Sequence, residues 1–150
     1  MYKYYSEQLL KTTLEKAWRF FSSPENLSAI TPPALDFFVL TKLTGEEIYP
    51  GMKIDYRVRP LLGVPVRWTT EIGSVKRLEY FTDKQARGPY KVWEHTHYFK
   101  EQDGGVMMQD VIKYQLPMGF LGKLAHPVVV KKLDNIFGYR REVLEKMFNS

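Results

Sequence analysis

Cysteine is absent from the chain, which excludes disulfides and thiolate metal sites. No apolar run approaches the ~18 residues that can span a bilayer, so no integral membrane segment is expected. Met1 to Tyr5 lacks the apolar core of a signal peptide, and a cytoplasmic location is the expectation. A dense basic block is also missing. Lysines and arginines stand singly or in pairs such as Lys131-Lys132 and Arg140-Arg141, so the net charge of +5 reads as solubility and no nucleic-acid partner is expected. No phosphate-binding glycine loop, dinucleotide fingerprint, Gly-x-Ser-x-Gly elbow or zinc-protease helix occurs, which argues against nucleotide-dependent chemistry. Repeats, low-complexity tracts and linkers are lacking too. The 150 residues therefore read as one domain, 1–150, long enough to hide roughly 70% of its unfolded surface.

What the chain does have is aromatic residues and a clean change of period. Tyr2 to Leu10 alternates as a first strand. Thr12 followed by Glu15 is a capping-box pattern ahead of a helix over 14–21, with Leu14, Ala17, Trp18 and Phe21 on one face. Ser23-Pro24-Glu25 starts a second short helix that ends before Thr31-Pro32-Pro33. From Phe37 to Leu116 the period drops to two. Strands are predicted over 37–42, 52–59, 64–76, 80–87, 90–100 and 106–116, separated by turn residues such as Gly88-Pro89 and Asp103-Gly104-Gly105. Short links require an antiparallel meander. Leu133, Ile136, Phe137, Val143, Leu144 and Met147 then stripe a long C-terminal helix, in which Pro127 must occupy the first turn or kink it. The fold class is α+β: a curved antiparallel sheet of six or seven strands wrapped around that helix, with two short helices after the first strand.

The interior phase of this sheet is chemically unusual. Trp93, His95, His97 and Phe99 share one face of a strand, and Met108, Asp110, Ile112, Tyr114 and Leu116 share one face of the next. Buried polar groups need partners, so two histidines, an aspartate and a tyrosine in one interior mark a polar network or a lined cavity. His95 and His97, two apart, have the spacing to share a metal with Asp110. The only other histidine, His126, lies far along the chain, and no metal is expected. The remaining readings are core histidines bonded to neighbours, or a general acid/base, which an imidazole pKa near ~6.5 suits. Asp110 requires His95, His97, Tyr114 or Arg87 as a partner. Arg87, just before Gly88-Pro89, closes the sheet end, pins an acidic ligand group or is a solvated turn residue. Asp83, Gln85 and Arg87 share a phase with Phe81, but the opposite phase is no more polar, so this strand does not declare its facing. Tyr56, Trp68, Trp93 and Phe99 together favour an aromatic cavity with a few polar groups.

The order of elements resembles START-like (Bet v 1-like) ligand-binding proteins of helix-grip fold. More narrowly, it resembles small bacterial proteins of the polyketide cyclase/dehydrase and lipid-transport superfamily. The segments that carry the resemblance include Phe20 to Leu27 with Ile30-Thr31-Pro32-Pro33, Ile54-Asp55-Tyr56, Trp68 to Ile72, Asp83 to Tyr90, Trp93 to Phe99 and Pro117 to Gly122. The resemblance implies a hydrophobic or aromatic small molecule, lipid or polyketide-like, held in an internal cavity without a cofactor. Tyr56, Trp68, Arg87, Trp93, His95, His97, Phe99, Asp110 and Tyr114 are the pocket candidates. Whether the site is also catalytic stays open, the alternative being a cyclase/dehydratase-type enzyme with a pocket histidine as acid/base. Two connections, 28–35 and 60–65, are apolar for exposed loops, and place the mouth of the cavity near Leu35, Leu61 or Leu62, unless they only cap the core or meet a second copy.

Overall fold

The computed structural model describes residues 1–60 and 63–150. Strand β1 (Tyr2–Leu10) leads into α1 (Leu14–Phe21) and two 3-10 helices, Pro24–Ile30 and Pro33–Leu35. Six strands follow: β2 (Phe38–Val39), β3 (Lys53–Val58), β4 (Val66–Lys76), β5 (Tyr80–Arg87), β6 (Val92–Gln102) and β7 (Gly105–Gln115). The chain closes with α2 (Phe120–Phe148). Six of the seven strands reproduce the period-two segments closely. The segment 37–42 does not: only Phe38 and Val39 pair with β3, and β2 is a two-residue edge.

All pairings are antiparallel, in the order β1-β7-β6-β5-β4-β3-β2. The β6–β7 hairpin shows how locally the sequence sets this order. Gln102 pairs with Gly105 across Asp103 and Gly104, whose φ angles of 49° and 75° make the Asp-Gly pair that a tight hairpin demands. Gly105 itself admits no side chain, because a Cβ there would run into the Leu10 carbonyl of β1. Two register shifts between β4 and β5, at Thr69/Thr70 and Ile72/Val75, curl the sheet.

Two apolar clusters result. The larger packs Trp18 and Phe21 of α1 edge-on or tilted against Phe81 and Phe99, with Leu10, Ile54, Val106 and Leu144 around them. The second joins Ile112 and Tyr114 of β7 to Val129, Leu133 and Phe137 of α2. At 29 residues, α2 reaches about 43 Å along the sheet. Pro127 lies well past the first turn, where its ring leaves one helical carbonyl without a donor.

The helix cap differs from the expected one by a residue. Thr13, not Thr12, takes the cap position of α1, and its Oγ1 accepts from the Lys16 amide at 3.2 Å. Lys16 stands where a capping box needs an acid, so Glu15 serves instead as a first-turn charge and pairs with Arg77. Thr13→Ala is expected to cost about 1 kcal/mol, read as a lower urea midpoint at unchanged slope, while Thr12→Ala leaves the midpoint nearly in place.

Candidate functional site

Between the curled sheet and α2 lies a cavity of about 410 Å³. Its walls are the inward phases of β3 and β4 (Ile54, Tyr56, Trp68, Ile72), Phe37, and the apolar face of α2 from Leu121 to Phe137. Trp68 and Trp93 meet edge to face at 5.3 Å, and Tyr90 packs on Trp93 at 4.7 Å. Burial pushes the Tyr56 hydroxyl pKa up, helped by the Asp83 charge, and burial raises that of Tyr90 to about 12, so both tyrosines are neutral.

The polar end of the cavity is built where β5, β6, β7 and α2 meet. Register places His95 opposite Asp83 on one side, and His97 opposite Asp110 on the other. His97 Nε2 lies 2.7 Å from Asp83 Oδ2, and His95 Nε2 lies 2.7 Å from Asp110 Oδ1. The two imidazoles stack at 3.7 Å, and Phe81 covers the other face of His97 at 4.1 Å. From α2, Arg140 brings Nη2 to 3.4 Å from Asp110 Oδ1, its guanidinium lying over Phe21 and Phe137.

These contacts determine the protonation pattern. Burial pushes the Asp110 carboxyl up, but the Arg140 charge and the His95 hydrogen bond outweigh it and hold the group well below the usual carboxylate range. Asp83 is also lowered, its burial being outweighed by the His97 hydrogen bond and the charges around it. Both acids are therefore carboxylates at neutral pH and accept. It follows that each histidine carries a proton on Nε2 and donates it. Burial, with His95 alongside, lowers His97 to about 4, so the ring is neutral. Its Nδ1 is buried with no hydrogen-bond partner among the described residues, 3.5 Å from Asp110 Oδ1. His95 Nδ1 differs: it also has no protein partner among the described residues, but it is not sealed and its ring lines the cavity.

Asp83, His95 and His97 each offer a ligand atom within 4.8 Å of the others, close enough for a metal. Their geometry does not suit one. Stacked rings aim their lone pairs along near-parallel planes rather than at one tetrahedral point, both Nε2 atoms are spent on carboxylates, and the Arg140 cation sits beside the cluster.

Of the pocket candidates, Tyr56, Trp68, Trp93, His95 and His97 line the cavity. Asp110 stands behind His95 rather than at the surface of the void, and Phe99 is core between Trp18 and Phe21. Tyr114 is buried against α2, where its hydroxyl meets His126 Nε2 at 3.0 Å and Tyr2 stacks on the same imidazole at 3.5 Å. Arg87 is exposed and outside the cavity. The register shift explains why: Thr70 pairs with Gln85 but Thr69 pairs with Arg87, so one extra residue reverses the face of Arg87. It then lies on the outer side with Thr69, near the Asp55 carboxylate that Thr69 and Arg67 bind.

Asp83, Arg140 and Tyr90 are lining residues outside the candidate set. Arg140 was findable, because it continues the stripe Leu133, Phe137, Leu144 at helical spacing. Tyr90 was not: it has the outward parity of β6, but the strand begins only at Val92 and the preceding turn swings the ring inward. The exposed residues Pro117, Met118, Leu121, Ala125 and Lys132 line the cavity together with Thr31, Leu35 and Pro60, and Asp103, Gly104 and Gly105 do not line it. Leu61 and Leu62 lie outside the described residues.

Neither a protein-family model nor a curated protein matches the sequence. Solved structures do. A protein from Chromobacterium violaceum superposes with a TM-score of 0.75 at 11% identity, over 100% of this chain and 99% of that one. A protein from Thermus thermophilus gives 0.67 at 18% identity, over 97% and 95%. Ara h 8.0201 gives 0.61 at 11% identity, over 97% and 98%. What the chain shares with them is the architecture, a Bet v 1/START-like helix-grip fold.

Proposed function

We propose that this protein binds a hydrophobic or aromatic small molecule, lipid or polyketide-like, between α2 and the sheet, and does not convert it. The observation that carries this reading is the 410 Å³ void itself, with apolar and aromatic walls and a few polar atoms gathered at one end, the make-up of a small-molecule site. The helix-grip architecture supports it, as does the resemblance to the cyclase and lipid-transport superfamily. A thermal-shift screen of uncharged polycyclic aromatics and lipids tests it. A binder at about 100 times its dissociation constant stabilises the fold by about 2.7 kcal/mol, and tryptophan fluorescence should change in step because Trp68 and Trp93 line the void. A panel with no shift and no fluorescence change overturns the reading.

One observation favours a second reading, the cyclase/dehydratase type of enzyme. His95 has the arrangement of a general base: Nε2–H is held by the Asp110 carboxylate, and Nδ1, unsealed and without a protein partner among the described residues, belongs to a ring that lines the cavity. His95→Gln separates the two readings. A carrier keeps its ligand affinity within a few-fold and has no turnover to lose, whereas an enzyme loses turnover while still binding.

A further inference from the structure

Resting on the binding reading, we infer that the cavity selects an aromatic ligand that carries a hydrogen-bond donor, a hydroxyl or an ammonium group, and rejects carboxylates. The polar end is dominated by acceptors. His95 Nδ1 has no protein partner among the described residues and is not sealed, and in the neutral ring, whose one proton Asp110 holds on Nε2, it is an acceptor. Asp83 lines the cavity, and only its Oδ2 is bonded, to His97. Its Oδ1 has no partner among the described residues and is not sealed away. Thr70 lines the same wall with a hydroxyl that serves either role. Left without a donor, such acceptors lose hydrogen bonds that water or a ligand must replace.

Charge points the same way. Asp83 and Asp110 are two anions against one buried cation, Arg140, among the described residues around this end of the cavity. Arg140 is already taken: it pairs with Asp110 and lies between the rings of Phe21 and Phe137. A ligand carboxylate reaching it would compete with Asp110 and face Asp83 as a second anion in an apolar surround. Lys132, the other cation among the described lining residues, is exposed, so solvent screens it. A hydroxyl or ammonium instead satisfies an acceptor that no described residue satisfies. Sites built to pair a hydroxyl discriminate strongly against the analogue that lacks it.

Four probes of one shape test this: naphthalene, 2-naphthol, 2-naphthylmethylamine and 2-naphthoate, titrated at pH 7.5 with tryptophan fluorescence as the readout. Either donor probe should bind at least ten-fold tighter than naphthalene, and naphthoate should bind weaker than naphthalene. Preference for the amine over the naphthol assigns the selectivity to the Asp83 charge, and the reverse assigns it to the His95 lone pair. In Asp83→Asn the amine's advantage should fall to near one, and in His95→Phe the naphthol's should. Equal affinities for all four probes, or naphthoate as the tightest, overturn this inference while leaving the cavity a binding site. No binding by any probe overturns the binding reading with it. The wild-type ranking decides the matter even if a variant fails to fold.

Discussion

Asp110→Ala is expected to destabilise the protein by about 3–5 kcal/mol, the range for breaking a buried ion pair from one side. Asp110 is 5% exposed, and its carboxylate receives both the His95 Nε2–H and the Arg140 guanidinium. Its removal strands a cation that is itself 7% exposed, and a ring N–H whose only acceptor it was. Desolvation is the larger part of this cost, because the lost partner leaves Arg140 charged with nothing opposite. Two controls separate the causes. Asp110→Asn keeps an acceptor for His95 and loses only the charge, so it should fall between wild type and alanine. The double substitution Asp110→Leu with Arg140→Met removes both charges, and it should recover much of the loss, since apolar residues often replace a buried pair without penalty. Urea midpoints measure all three. A single alanine variant within 1 kcal/mol of wild type would show that water from the cavity already serves Arg140.

Acid should unfold the protein from a pH higher than carboxylates alone would set. His97 is buried and neutral, its pKa lowered from 6.5 to about 4. Above pH 6.5 the ring is neutral in both folded and unfolded chains, and its contribution does not vary. As pH falls below 6.5 the unfolded chain takes up the proton and the folded chain does not, so stability drops by about 1.4 kcal/mol per pH unit. The drop levels off near pH 4, after a total of about 3 kcal/mol. Below the ordinary carboxylate range, Asp83 and Asp110 extend the loss, because both are lowered in the folded state. Urea unfolding from pH 7.5 to 4 should show this slope, and His97→Phe should flatten it whatever its effect at neutral pH. A stability flat down to pH 4.5 would contradict the neutral, buried assignment of His97.

The facing of β6 and β7 was legible because it is a local property. Alternation put Trp93, His95, His97 and Phe99 on one side of β6, and Asp110 and Tyr114 on the matching side of β7, which is where the structure has them. The β5 strand was not legible, since its two phases are equally polar. Contact with β4 and β6 decided it, sending Phe81 and Asp83 inward. Arg87 shares their parity in the sequence and still faces out, because a bulge is a feature of two strands together. No reading of one strand alone reveals it.

Periodicity and turn chemistry were enough to determine the meander, the long terminal helix and an interior holding both aromatic rings and titratable groups. Those features arise from residues within a few positions of one another, such as Asp103-Gly104 in the β6–β7 turn. Only the tertiary structure decided the partners. Arg140 reaches Asp110 across 30 positions, and Asp83 reaches His97 across 14. Which imidazole nitrogen is left without a partner among the described residues depends on how α2 is rotated and how the sheet curls. Both follow from packing of the whole core, in which many weak contacts choose one arrangement together, and no local pattern encodes that choice.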